Sequence, residues 1–296
     1  MPHPAQMTIE PQRARKGLVL FLTLVIIGTV PILTAVIRSG HRVEDPAVLP
    51  FMIALMWVPA LASVIVRLVL REGFSDVSFR FGGRTGAKAV GVALFLPAVV
   101  GVLAYGVAWT TGLAQFVVPA GGWYAGMEPG ALRFTLAVLT ATLVGGMVGT
   151  ITSAGEEIGW RGYLLPRLVQ AGLPWPLATS GIIWGLWHVP GILTGQYASG
   201  TYPLLSAVVF LVFAVGMSVG WGALRMHTGS VWSAIIGHAA WNAVIEGPFT
   251  GYTTGSASTL WLGESGLLVA VVVTFAGFII WRRVRGDARP VSHTGL

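Results

Sequence analysis

The sequence contains no cysteine, which excludes disulfides, thiolate metal sites and a cysteine nucleophile, and leaves the redox compartment unread. Charge is nearly as scarce. Only 10% of residues are Asp, Glu, Lys or Arg, against about 25% in soluble domains. The His-Glu-x-x-His pair of the familiar zinc peptidases is missing, and no serine or threonine sits in a recognisable nucleophile motif. Linkers, repeats and low-complexity tracts are absent too, which predicts one domain. What remains is apolar: 54% of the 296 residues are hydrophobic, with a mean hydropathy of +0.76. The composition predicts an all-α polytopic membrane protein, with the lipid bilayer as its main solvent.

Crossing about 30 Å of hydrocarbon takes about 20 apolar residues at 1.5 Å each. Eight such runs follow in order: Gly17 to Ile37, Val48 to Leu70, Ala89 to Trp109, Leu132 to about Ala154, Trp175 to Thr194, Leu204 to Leu224, Val231 to Phe249 and Leu262 to Trp281. The first follows Arg13, Arg15 and Lys16 but is too long for a signal peptide and lacks a small-residue cleavage site, so it reads as a retained anchor. Residues 1–16 and 286–296 are expected as cytoplasmic tails, 17–285 as a single transmembrane domain. The longest outer loop runs from Thr111 to Gly130.

Charge placement tests this topology independently, because Lys and Arg accumulate in short cytoplasmic loops. With the N-terminus inside, Arg13, Arg15, Lys16, Arg67, Arg71, Arg80, Arg84, Lys88, Arg161, Arg167, Arg225, Arg282, Arg283, Arg285 and Arg289 fall within, and Arg38, Arg42 and Arg133 outside. That split of 15 to 3 predicts both termini in the cytoplasm of a bacterial-type plasma membrane. The net charge of +7 is thereby a matter of topology, and no nucleic-acid role is expected.

Ionisable groups inside apolar runs are costly and usually serve a site. They concentrate in three segments: Gly155 to Arg161, Trp184 to His188, and His238 to Asn242. Residues four apart share a helix face, so Glu157 can meet Arg161, Trp184 can lie beside His188, and His238 beside Asn242. Glu156 projects about 100° away from the Glu157 and Arg161 stripe, which leaves one carboxylate for chemistry. A carboxylate in a low-dielectric site can take a proton from water, while imidazole and carboxamide donors stabilise an oxyanion. Two imidazoles and a carboxylate, here His188, His238 and Glu156, equally match the ligand types of a catalytic divalent metal, zinc first. Sequence alone leaves both chemistries open.

The same segments resemble the prenyl-CAAX protease and bacteriocin-processing family of intramembrane proteases, also called CPBP or Abi. That family is marked by Glu-Glu-x-x-x-Arg, Phe-x-x-x-His and His-x-x-x-Asn or Asp on separate membrane helices. The first motif is matched by Glu156, Glu157 and Arg161, continuing into Gly162, Tyr163, Leu164 and Leu165, and the third by His238 and Asn242. The second departs, with Trp184 replacing phenylalanine before His188. The resemblance covers roughly 132–249. It implies an intramembrane endopeptidase cutting a membrane-associated protein or peptide, with a site opening toward the cytoplasmic face. Glu156 would activate water, His188 and His238 would bind a metal or the oxyanion and water, and Asn242 would assist. Glu157 and Arg161 would orient the first motif through an ion pair.

Blander readings stand beside this one. A single membrane histidine is often only an interhelical hydrogen-bond donor. Trp160, Trp187 and Trp241 read as packing or belt residues; Glu246 shares a face with Asn242; His227, His41, His3 and His293 read as solvated loop or tail residues. A transporter with a Glu156, His188 and His238 relay is the main alternative, though no paired halves are found. A non-catalytic membrane scaffold of the same fold is another. Substrate identity, prenylation and oligomeric state are silent.

Overall fold

The computed structural model describes residues 9–43, 45–122 and 124–287. Of the expected tails, residues 1–8 with His3, and 288–296 with Arg289 and His293, lie outside the described residues, as does Trp123 of the long outer loop. Residues 11–16 and 286–287 of the expected tails are helical, because α1 (Pro11–Ser39) and α8 (Leu267–Asp287) each extend past the predicted apolar run. Between them come α2 (Leu49–Val69), α3 (Gly83–Thr111), α4 (131–170), α5 (Pro176–Leu193), α6 (Pro203–Thr228) and α7 (Trp232–Trp241), the last continued by the π-helical stretch Asn242–Phe249. Among the described residues, the departure from an all-helical fold is a short antiparallel ribbon. It pairs Gln115–Phe116 with Thr253–Thr254 and ties the α3–α4 loop to the end of α7.

Among the described residues, six helices are long and apolar enough to cross a membrane: α1, the α2 segment, α3, the first part of α4, α6 and α8. The other two expected spans lie on α5 and α7, the helices that carry the histidines. The chain reverses between neighbouring helices, so α1 starts and α8 ends at the same end of the bundle. The exposed Arg13, Arg15, Lys16, Arg71, Arg80, Arg84, Lys88, Arg282, Arg283 and Arg285 gather there, and it is called here the basic end.

The largest difference from the expected layout is α4. The expected run stops near Ala154, which puts Glu156 at the inner end of its helix, yet the helix continues to Gln170 through the pieces Thr150–Gly159, Trp160–Leu164 and Leu165–Gln170. Glu156 therefore lies about 14 residues, roughly 21 Å, from that helix end. His188, 12 residues into α5, lies at a comparable depth. Two local causes let the charged segment run at depth. Gly155 and Gly159 allow backbone-close contact with α2: a Cβ on Gly155 would lie 2.6 Å from the Met56 carbonyl, and one on Gly159 2.3 Å from Pro59 Cβ. The π-turn Trp160–Leu164 then precedes Pro166, which has no N–H for the Gly162 carbonyl. Arg67 Nη2 takes that place at 2.9 Å.

Four arginines assigned by sequence to the inner side, Arg67, Arg161, Arg167 and Arg225, are buried and have partners. Arg67 and Arg167 both pair with Asp76 in the α2–α3 loop; Arg167 Nη2 also reaches Glu72 at 2.7 Å, and Arg225 Nη2 donates to the Asp76 carbonyl at 2.7 Å. Guanidiniums of Arg67 and Arg167 lie over the Tyr163 ring at 5.0 and 4.6 Å. Burial alone would raise the Asp76 carboxyl, but Arg167 and Arg67 outweigh it and hold it below the usual carboxylate value. This charged lattice closes the basic end of the bundle.

Candidate active site

The residues of the three motifs converge from α4, α5 and α7. Glu156 is 3% exposed and its Oε2 accepts the indole N–H of Trp184 at 2.9 Å and of Trp160 at 3.3 Å. The first donor comes from the position where the sequence departs from the motif, and the second lies one turn along the same helix. Neither was anticipated as a donor, although the spacing of four between Glu156 and Trp160 carried the second. Glu157 is fully buried and points elsewhere. Its Oε1 accepts from Arg161 Nη1 at 2.7 Å and from His238 Nδ1 at 2.8 Å. Arg161 donates onward to Ser218 Oγ at 2.8 Å and lies over the Trp184 and Trp221 rings at 4.7 and 5.7 Å.

Both histidines are fixed by their Nδ1 atoms. His238 uses Nδ1 toward Glu157, and His188 uses Nδ1 toward the Trp184 carbonyl at 3.0 Å, an acceptor that requires the Nδ1–H tautomer. In each neutral ring Nε2 is then left as the acceptor available to the cavity. The rings are also clamped: His238 stacks on Trp221 at 5.6 Å, while Trp184 meets His188 and His238 edge-on at 5.4 and 5.7 Å.

Glu156, His188, His238 and Asn242 line one cavity of about 530 Å³. Glu246 lines it too, as does Trp187, whose indole donates to Thr29 Oγ1 at 2.7 Å. One further wall has no counterpart in the sequence reading: Glu264, before α8, accepts from the Tyr197 hydroxyl and, at 2.8 Å, from the Trp241 indole. His41 lies apart with Asp45, and exposed His227 ends α6, within a helix where a loop was expected.

The loop residues around the cavity are Val43, Gln196, Tyr197, Ala198, Gly263 and Glu264. These belong to the α1–α2, α5–α6 and α7–α8 connections, all at the end away from the basic one. Toward the basic end, buried Arg161, Trp221 and Tyr163 and then the Asp76 ion pairs pack beneath the site.

As for a divalent ion, the ligand types suit one but the arrangement does not fit. Among the described residues, no three His, Asp or Glu side chains are grouped to hold a metal. Oε2 of Glu156 is already taken by two indole donors. The set Glu156, His188 and His238 lines a shared cavity without forming a three-donor centre.

No curated protein matches the chain. Residues 131–244, from the start of α4 to just past α7, match the model of the family described as type II CAAX prenyl endopeptidase Rce1-like, so the segment that builds this cavity is similar to the CAAX proteases that its three motifs resemble.

Proposed function

We propose that the protein is an intramembrane endopeptidase in which Glu156 is the general base. The observation that carries this reading is one carboxylate, buried among apolar helices and held by two indole N–H groups, facing a cavity shared with two tautomer-fixed histidines and a carboxamide. Glu156 takes a proton from a water in the cavity, and the hydroxide formed adds to the carbonyl carbon of the scissile peptide. The second hydrogen of that water is donated to Nε2 of one histidine, His238 or His188, which orients it. The Asn242 carboxamide donates to the oxyanion as the carbonyl bond opens. Collapse of the tetrahedral adduct expels the amine, which receives the proton from Glu156, and the carboxylate is regenerated.

Glu157 is a positioning residue. Sharing one oxygen between Arg161 and His238 fixes which histidine nitrogen carries the proton. No step in this scheme passes through a metal. The substrate is a membrane-associated protein or peptide whose cut segment reaches mid-depth of the bundle.

The test compares peptide termini in membranes from cells expressing the wild type and Glu156→Gln. Termini that vanish with the amide support the base role. An identical set of termini in both defeats it.

A further inference from the structure

We infer that Glu246 and Glu264 form a cation subsite of the catalytic cavity, so that the preferred substrate carries a lysine or arginine side chain close to the bond that is cut; this rests on the proteolytic reading above. The residues lining the cavity include three carboxylates, Glu156, Glu246 and Glu264, and no lysine or arginine. That composition is unlike the rest of the interior. Glu157 is paired with Arg161, Glu72 with Arg167, and Asp76 with Arg67 and Arg167. Glu264 is buried as they are, but the groups that hold it, the Tyr197 hydroxyl and the Trp241 indole at 2.8 Å, are neutral. They spread its charge and leave it uncancelled. A buried anion without a counter-charge is costly, and a ligand that brings one offsets that cost.

Glu246 reaches the same wall because the chain changes pitch after Trp241. From Asn242 the helix widens into π-type turns, Gly247 leaves helical angles at φ −83° and ψ −106°, and Pro248 offers no N–H. Glu246 stands at this break, exposed and lining the cavity. The Tyr197 hydroxyl ties the carboxylates to one place. Burial first, and then the charges of Glu264, Glu246 and Glu156, push it well above its ordinary value. Unspent oxygens point the same way. Among the described residues, Gln196 Oε1 in the cavity wall and the Oγ of Ser265, itself 6% exposed, have no hydrogen-bond partner. Ser265 lines an adjoining space of about 270 Å³ that shares Thr250, Gly263 and Glu264 with the cavity. Both oxygens can accept from an ammonium or guanidinium, and Ile245, beside Glu246, offers apolar surface to a methylene stem. Arg42 lines the adjoining space from the exposed α1–α2 connection, outside the cavity.

The test uses Glu156→Gln protein in detergent, which cuts nothing on the reading above and lacks the third cavity carboxylate. Its probes are two short apolar peptide amides that differ only in one central residue, lysine or norleucine, with binding followed by tryptophan fluorescence. The lysine peptide should bind about 10- to 100-fold tighter, as one hydrogen bond to a charged group implies. That preference should fall toward equality when Glu264→Gln or Glu246→Gln is added. Glu246→Gln, at an exposed position, carries the comparison where loss of the Tyr197 and Trp241 contacts unfolds Glu264→Gln. Equal affinity for the two peptides, binding of neither, or a preference unchanged by Glu246→Gln overturns the subsite. In the companion arm, termini lost with Glu156→Gln in membranes should lie beside lysine or arginine. Dependent termini without a basic neighbour also overturn the subsite, while finding no dependent termini defeats the protease reading and leaves the peptide affinities to decide the subsite.

Discussion

Exchanging either of two adjacent glutamates for glutamine should produce opposite defects, and the sizes follow from their contacts. Glu157 is wholly buried, and one of its oxygens serves both Arg161 and His238. Removing one partner of a buried pair costs about 3–5 kcal/mol because the other charge is stranded. In Glu157→Gln the amide oxygen retains one hydrogen bond, worth about 1 kcal/mol. The Trp184 and Trp221 faces at 4.7 and 5.7 Å still hold the guanidinium. The net loss is about 2–4 kcal/mol, which at about 2 °C per kcal/mol for a large chain lowers Tm by about 4–8 °C. Glu156→Gln keeps an acceptor for both indoles and breaks no ion pair, so its stability should change by less than about 1 kcal/mol while cleavage is lost. The assay is monodispersity of detergent-extracted protein after heating, beside the count of dependent peptide termini in membranes. Equal melting and equal cleavage by the two variants would refute the division of roles.

Trp184→Phe keeps a ring beside His188 but deletes the 2.9 Å donor to Glu156; a bond to a charged acceptor is worth about 1.5–3 kcal/mol, so kcat should fall about 10- to 100-fold with KM little changed, as steady-state kinetics would show. Asn242→Ala should lower kcat by about a hundredfold to a thousandfold, the loss typical of one oxyanion donor. A membrane-permeable chelator should leave the wild type active, and loss of activity restored by zinc would overturn the metal-free scheme. Gly159→Ala drives a Cβ to 2.3 Å from Pro59, an overpacking that should cost about 1–3 kcal/mol and reduce the yield of folded protein. Asp76, whose folded carboxyl titrates below its usual value, supplies stability that is present above the unfolded value of about 3.9 and lost as pH falls through the folded one. A wild-type Tm that is level down to about pH 4 and drops below it, with that drop weakened in Asp76→Asn, is the expected melting profile.

Sequence reading reached the helical runs, the partition of charge and the three motif segments because each is written in local composition. Gly17 to Ile37 and Val48 to Leu70 fall on single helices close to their predicted limits. The continuation of α4 through residues 155–170 was illegible for the opposite reason. Their glutamates and arginines look like a loop when counted one at a time, and only partners such as Glu72 and Asp76, some 90 residues away, make them fit inside a bundle. Spacing likewise showed Glu157 beside Arg161 but not that the same oxygen would hold His238 from another helix. Glu264 and Tyr197 belong to no motif; the charge of Glu264 inside the run Leu262 to Trp281 was a signal left unused, whereas Tyr197 carried none.

The pairing of those arginines also bears on how the chain enters the membrane during synthesis. A charge near mid-bilayer costs about 2.5–3.5 kcal/mol even by insertion scales, and this chain must insert several. Arg161 has Glu157 one turn earlier in its own helix, so the pair can leave the translocon already neutralised. Arg167 emerges after both Glu72 and Asp76 exist, and Arg225 after the Asp76 carbonyl it uses. Arg67 waits only nine residues for Asp76. Each buried arginine thus meets its compensating oxygen as it is made or shortly after, and the chain order itself spares the nascent protein a long-lived bare charge in lipid.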